Sequence, residues 1–219
     1  MKYPIHRRNI AQQTQQGTLI VDAPLDGNGL DYSGNNNNLT AGSNVQWATD
    51  GGRQVLSPAQ YSYFNLTTIN QSSYINDFQI EIDYFPINLL NPANQQMIDG
   101  AAAGTQRPGI FIMHNPISGS TPAGFYFTLI YTATSEVSVS IPDTAWTLNR
   151  WYKIIWKNTN NLMTVTITDI SSGTVIFNQN IATNTVGSTP LPNLRIGQTQ
   201  HTSNRSINGY LRNFKLYKL

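Results

Sequence analysis

The sequence predicts an all-β protein, an antiparallel two-sheet β-sandwich, and three observations carry that prediction. The dominant hydrophobic period is two: Phe78-Gln79-Ile80-Glu81-Ile82-Asp83-Tyr84 alternates apolar and polar residues, the mark of a half-buried strand. Turn clusters such as Asp50-Gly51-Gly52, Asn158-Thr159-Asn160-Asn161 and Ser171-Ser172-Gly173 cut the chain into short segments at near-regular spacing. No apolar stripe of helical period runs longer than a turn or two. Many short strands without helices fold as a sandwich of jelly-roll type. A chain of 219 residues closes one full core, and it shows neither an internal repeat nor a second domain.

Residues 1–17 read as an extended N-terminal arm. Gln12-Gln13-Thr14-Gln15-Gln16-Gly17 has no face to bury, and Arg7-Arg8 add local positive charge. The domain, 18–219, opens on a short apolar strand, Thr18 to Val21. A dense run of Gly, Asn, Asp and Ser follows from Leu25 to Thr40. Gly and Asn tolerate positive φ, and Asp and Ser bond back to nearby backbone, so this run predicts a long, tightly folded loop. Further strands are expected at Arg53–Ser57, Tyr61–Leu66, Phe78–Tyr84, Gly109–His114, Gly124–Thr132, Glu136–Ile141, Trp151–Lys157, Leu162–Ile167, Thr174–Ile181, Asn193–Gly197 and Tyr210–Lys218. Along Leu162–Ile167 the period turns Met163, Val165 and Ile167 inward and Thr164 and Thr166 outward. Trp47, Trp151 and Trp156 are expected to fill the core or the sheet edges.

Composition narrows the function. Charged residues make up 11% of the chain, less than half the usual share of about 25%. The polar surface is built instead from amides and hydroxyls, which suits an extracellular or particle surface better than a metabolic enzyme. A net charge of +2 without a clustered basic stripe argues against nucleic-acid binding. The absence of cysteine removes disulfides, thiolate metal sites and cysteine nucleophiles together, and it fits folding in a reducing cytosol. The start, Met1-Lys2-Tyr3-Pro4-Ile5-His6-Arg7-Arg8, lacks the apolar core of a secretory signal. No apolar run approaches the roughly 20 residues of a membrane span, so membrane insertion is not expected.

Four segments carry a family resemblance. Asp31-Tyr32-Ser33-Gly34-Asn35-Asn36-Asn37-Asn38-Leu39-Thr40 resembles the D-x-S-G-N-x-N loop of concanavalin A-like lectin/glucanase domains of the laminin-G-like kind. In the same order as in that family come Phe78–Pro86, similar to its central strand, and Asn149–Ile154, similar to its W-Y/H-x-V/I strand. Leu194–Gly197 with Asn208–Tyr217 resembles its closing pair. The resemblance spans about residues 18–219 and implies two curved sheets with a concave face used for glycan binding, glycan hydrolysis or scaffolding.

Hydrolysis is testable residue by residue. Retaining glucanases with this fold resemble one another in an E-x-D-x-E strand, which sets the two key carboxyls about 5 Å apart on one face. Here Glu81 and Asp83 match the first two acids, but Phe85 stands in the third place. A phenyl ring protonates no leaving group, so no catalytic residue is assigned. The isolated histidines His6, His114 and His201 form no metal motif, and no nucleotide or flavin motif stands in a fitting context, so no cofactor is expected. The resemblance also implies calcium bound by the opening loop and an acid on the last strand. That strand offers Arg212 and Asn213 instead, so Asp26 and Asp31 read as turn caps and no metal is expected.

Glycan binding needs aromatic rings beside groups that pair with hydroxyls. Strand parity puts Gln79, Glu81 and Asp83 opposite the core; Tyr126 and Lys153 join them if their strands are neighbours. Trp146, after Pro142-Asp143, is a candidate stacking residue in a loop. Glu81, Asp83, Tyr126, Trp146 and Lys153 are therefore the candidate ligand residues. If the first and last strands pair, the arm emerges near Arg212 and Lys215. Lys2, Arg7, Arg8, Arg212 and Lys215 then become candidates for docking an acidic partner. Taken together, these features lead us to expect a non-enzymatic structural or adhesive protein of a virus particle, a bacteriophage capsid decoration, head fibre or tail component. Its expected partners are other virion proteins, copies of itself through the arm, and glycans; a free-standing lectin is the alternative.

Overall fold

The structure is a computed structural model that describes residues 17–42, 45–50, 53–56, 63–66, 77–89, 95–101, 109–115, 123–132, 135–184, 194–197 and 206–219. The strands in order are β1 (Thr18–Ala23), β2 (Thr40–Ala41), β3 (Trp47–Asp50), β4 (Arg53–Leu56), β5 (Phe64–Leu66), β6 (Phe78–Pro86), β7 (Gln95–Ala101), β8 (Gly109–Asn115), β9 (Gly124–Thr132) and β10 (Ser135–Pro142). After a 3-10 turn at Asp143–Ala145 come β11 (Tyr152–Thr159), β12 (Leu162–Asp169), β13 (Val175–Ala182), β14 (Leu194–Ile196) and β15 (Gly209–Lys218). They form two antiparallel sheets, the sandwich expected from the period of two. The 8-stranded sheet runs β13-β12-β11-β6-β15-β4-β3, with β1 also on β15; the 7-stranded sheet runs β10-β9-β8-β7-β14-β5-β2.

The core lies between the sheets, and parity decides who enters it. β6 sends Phe78, Ile80, Ile82 and Tyr84 inward, each fully buried, and turns Gln79, Glu81 and Phe85 outward. Met163, Val165 and Ile167 are likewise buried, while Thr164 and Thr166 reach the outer face. Three strands escape the sequence pattern, one of them the two-residue β2. β7 carries Gln95 and Asp99 fully inside the protein, and a bulge between Gln96 and Ile98 breaks its alternation. β3 is a four-residue edge strand with no buried position.

The opening loop has a structural task. β1 pairs with β15 on one side, and among the described residues no strand pairs with its other edge. Side chains of the loop take a strand's place. The Ile20 carbonyl accepts from Ser33 Oγ at 3.0 Å, Asn35 Nδ2 at 3.2 Å and Asn37 Nδ2 at 2.9 Å, and Leu19 O accepts from Asn35 Nδ2 at 2.8 Å. Asp22 N–H donates to Asp31 Oδ1 at 2.9 Å. Asp31 also accepts from Ser33 N at 2.8 Å, Ser33 Oγ at 2.8 Å and Asn37 N at 2.9 Å. Gly34 and Asn36 take the positive φ this winding needs, 89° and 58°. Desolvation by burial works to raise the Asp31 pKa, but these donors outweigh it and hold the carboxyl below its ordinary value.

The arm candidates Lys2, Arg7 and Arg8 lie outside the described residues. The described chain begins at Gly17, packed on the backbone of Lys218. Because Asp31 titrates lower when folded, its contribution is fully present above the ordinary Asp value and is lost as pH falls below it and on through the lowered folded-state value. Asp31→Ala should cost about 1–2 kcal/mol at neutral pH. Urea unfolding at stepwise lower pH should show the gap to the parent protein closing below about pH 4.

Candidate functional site

The outer face of the larger sheet is organised in cross-strand rows, because β15, β6 and β11 are neighbours in register. Tyr210 faces Phe85; Arg212 faces Asp83, which faces Lys153; Lys215 faces Glu81, which faces Ile155; Tyr217 faces Gln79, which faces Lys157. Between Arg212 and Lys215 the register slips by one residue, a bulge centred on Asn213 at φ 54°. The bulge turns two successive side chains of β15 onto one carboxylate. Asp83 Oδ2 accepts from Asn213 Nδ2 at 2.7 Å and from Arg212 Nε at 3.2 Å.

The second carboxylate is held in the same manner. Glu81 pairs with Lys153 Nζ at 3.2 Å and accepts from Gln79 Nε2 at 2.8 Å. Lys215 reaches Asp22 of β1 at 3.2 Å. Asp83 is only 6% exposed and Glu81 15%, whereas Lys153 is 46% exposed. The acids are thus floor and the cations are wall. Around them lies an open depression of about 480 Å³ lined by Glu81, Asp83, Lys153, Ile170, Arg212, Asn213 and Lys215. Burial, with the Glu81 and Asp22 carboxylates adding to it and Lys153 opposing, holds the Tyr217 phenol above its ordinary pKa. Tyr217 therefore stays a hydroxyl at neutral pH.

Beside the charged rows stands an aromatic one. Phe85 stacks on Tyr210 at 5.5 Å and 22°, and meets Trp151 at 5.3 Å. The Arg212 guanidinium lies 3.8 Å over the Trp151 ring. Trp151 Nε1 donates to Asp50 Oδ2 at 2.6 Å, which ties β3 to this row.

The structure brings Glu81, Asp83 and Lys153 together and adds Arg212 and Lys215 to the same depression. Two candidates are corrected. Tyr126 belongs to β9 in the smaller sheet, between Met113 and Ser140, so it cannot share a surface with Glu81. Trp146 is no exposed stacking residue: it is 7% exposed and packs edge-on against Tyr84 and Tyr152 and tilted against Phe125. Sequence reasoning set Phe85 in line with Glu81 and Asp83 without giving it a binding role, and it missed Trp151 and Tyr210 as members of the face. The signal was available, since each stands two residues from a charged outer-face residue and so shares its parity. Asp50 and Asn213 enter through long-range pairing and a bulge, which no local pattern announces. Among the described residues no group of three or more His, Asp or Glu is placed to hold a metal ion.

No protein-family model matches the chain, and no curated protein does. Solved structures do. Domain 4 of AbnA, a GH43 extracellular arabinanase from Geobacillus stearothermophilus, in complex with arabinotriose, matches with TM-score 0.63 at 14% identity, covering 93% of this chain and 94% of that one. The binding domain of botulinum neurotoxin serotype D matches with TM-score 0.63 at 14% identity over 92% of this chain and 48% of that one. The CBM2 module of the evolved Dit of Lactobacillus casei BL23 phage J-1 matches with TM-score 0.53 at 10% identity, over 92% and 95%. The fold is thus the jelly-roll β-sandwich that these three domains share.

Removing Arg212 strips a nearly buried carboxylate of its counter-charge and uncovers Trp151. Arg212→Ala should cost about 2–3 kcal/mol in chemical denaturation. Arg212→Met with Asp83→Leu should recover most of that loss, because no lone charge is then left inside.

Proposed function

We propose that the protein is a non-enzymatic glycan-binding module acting as a structural adhesion component of a bacteriophage particle: a capsid decoration, head fibre or tail part. One observation carries the glycan reading. An open depression holds fixed carboxylate acceptors and ammonium and guanidinium donors beside a row of three aromatic rings. Sugars need both, hydroxyl partners locked in place before binding and ring faces or edges for their apolar C–H surfaces. The ion pairs supply the first, since each charged group orients its neighbour. The jelly-roll sandwich adds support, because domains of that shape occur in an arabinanase, there in complex with arabinotriose, and in a phage Dit.

Phe85 favours binding over cleavage. Where the glucanase strand that β6 resembles carries a third carboxyl, its ring packs on Tyr210 and Trp151 and offers no proton. The particle setting rests on the low charge of 11%, on the amide and hydroxyl surface, and on the likeness to a phage Dit module.

A glycan array followed by calorimetry tests the reading. Trp151→Ala and the pair Glu81→Ala/Lys153→Ala should each weaken the best oligosaccharide at least about tenfold, which is about 1.4 kcal/mol. No new reducing ends should appear on long incubation. Unchanged affinity in both variants removes this face as the site, and sugar release overturns the non-enzymatic reading. Antibody labelling of purified phage particles tests the setting, and its absence there favours a free-standing lectin.

A further inference from the structure

Every sheet of a sandwich has edges, and an edge strand with free backbone groups pairs with another chain unless something prevents it. Most edges here carry a safeguard. β1 is covered by the Asp31–Asn37 side chains. β2 has two residues. β3 ends in Asp50, and β10 carries Glu136 and Pro142. β13 closes the larger sheet at the other end and has none of these. Its eight residues, Val175-Ile176-Phe177-Asn178-Gln179-Asn180-Ile181-Ala182, contain no charge and no proline. β12 pairs with it on one side, and among the described residues no strand pairs with the other. Asn178, Gln179 and Asn180 are exposed, and the Gln179 and Asn180 amides bond to nothing among the described residues.

About Gln179 this edge mirrors residue class in both directions: Asn178 and Asn180, then Phe177 and Ile181, then Ile176 and Ala182. We propose that β13 pairs antiparallel with β13 of a second copy of the chain, on a two-fold axis at Gln179. In that register Phe177 meets Ile181 of the partner subunit, Asn178 meets the partner's Asn180, and Gln179 meets the partner's Gln179. A two-fold contact must be self-complementary, and this one sets apolar against apolar and amide against amide. Phe177 and Ile181 face inward, opposite Ile167 and Met163 of β12, and already pack on the core. On that face the apolar pairs flank the axis, and the two Gln179 amides meet between them. The larger sheets join edge to edge, with both charged faces on the same side, so a bivalent glycan surface results. The pairing itself does not depend on glycan binding.

Sedimentation equilibrium on the full chain tests this. The parent protein should show twice the chain mass. Asn178→Lys/Asn180→Lys places like charges opposite each other on both sides of the axis and should weaken self-association at least about tenfold. Its circular dichroism should match the parent, because both positions are exposed, and the melting temperatures should converge as the protein is diluted. Asn178→Lys/Asn180→Asp sets opposite charges across the axis in this register and should restore the dimer. A monomeric parent overturns the proposal, as does a dimer indifferent to the lysine pair or a charge-swapped variant that stays monomeric.

Discussion

The bulge at Asn213 is the constraint on which the rest of the molecule depends. β15 is the seam of the larger sheet. On one side it pairs with β6 along its length, and on the other it meets β4 at Leu211 and β1 from Phe214 onward. One strand changes partners at one point, and the extra residue of the bulge makes room for that change. Asn213 N–H donates to Pro24 O at 2.9 Å, just where β1 ends, while its side chain holds Asp83. A residue at φ 54° is costly for most side chains and tolerable for Asn. The same local geometry therefore closes the sandwich and brings Arg212 and Asn213 to one carboxylate.

Charge on this face is arranged to cancel locally. Asp83, Glu81, Asp22 and Asp50 each have a cationic or N–H partner on a neighbouring strand or turn. Exposed pairs of this kind add little to stability, roughly 0–1 kcal/mol each. Their value is orientation. Groups fixed before a ligand arrives lose little freedom when it binds. The most buried pair, Asp83 with Arg212, is the exception, because loss of either partner alone leaves the other charge without its counter-charge in a little-exposed place.

Much of this was legible in sequence. The alternation of β6, β11 and β12 placed their inner and outer faces correctly, and Glu81, Asp83 and Lys153 followed from parity alone. The opening loop announced itself by composition, and its role as a cap survives in the bonds of Asp31. What stayed hidden required knowing which strands are neighbours. Tyr126 has the right parity in the wrong sheet. Trp146 follows a proline and an aspartate, yet the 3-10 turn folds it back into the core. Trp151 looks like a core filler until Asp50, about a hundred residues earlier, receives its N–H. β7 lies outside the expected strands because its buried Gln95 and Asp99, with a bulge between Gln96 and Ile98, break the apolar alternation that marks a strand.

The central claim is that sugars bind on the β15–β6–β11 rows. A crystal structure with the tightest oligosaccharide from the array tests it most directly. The sugar should lie in the depression, with hydroxyls on Glu81, Asp83 or Arg212 and one residue against the Phe85, Trp151 and Tyr210 row. A sugar bound to the outer face of the smaller sheet, or held only by loops at the ends of the sandwich, would contradict it.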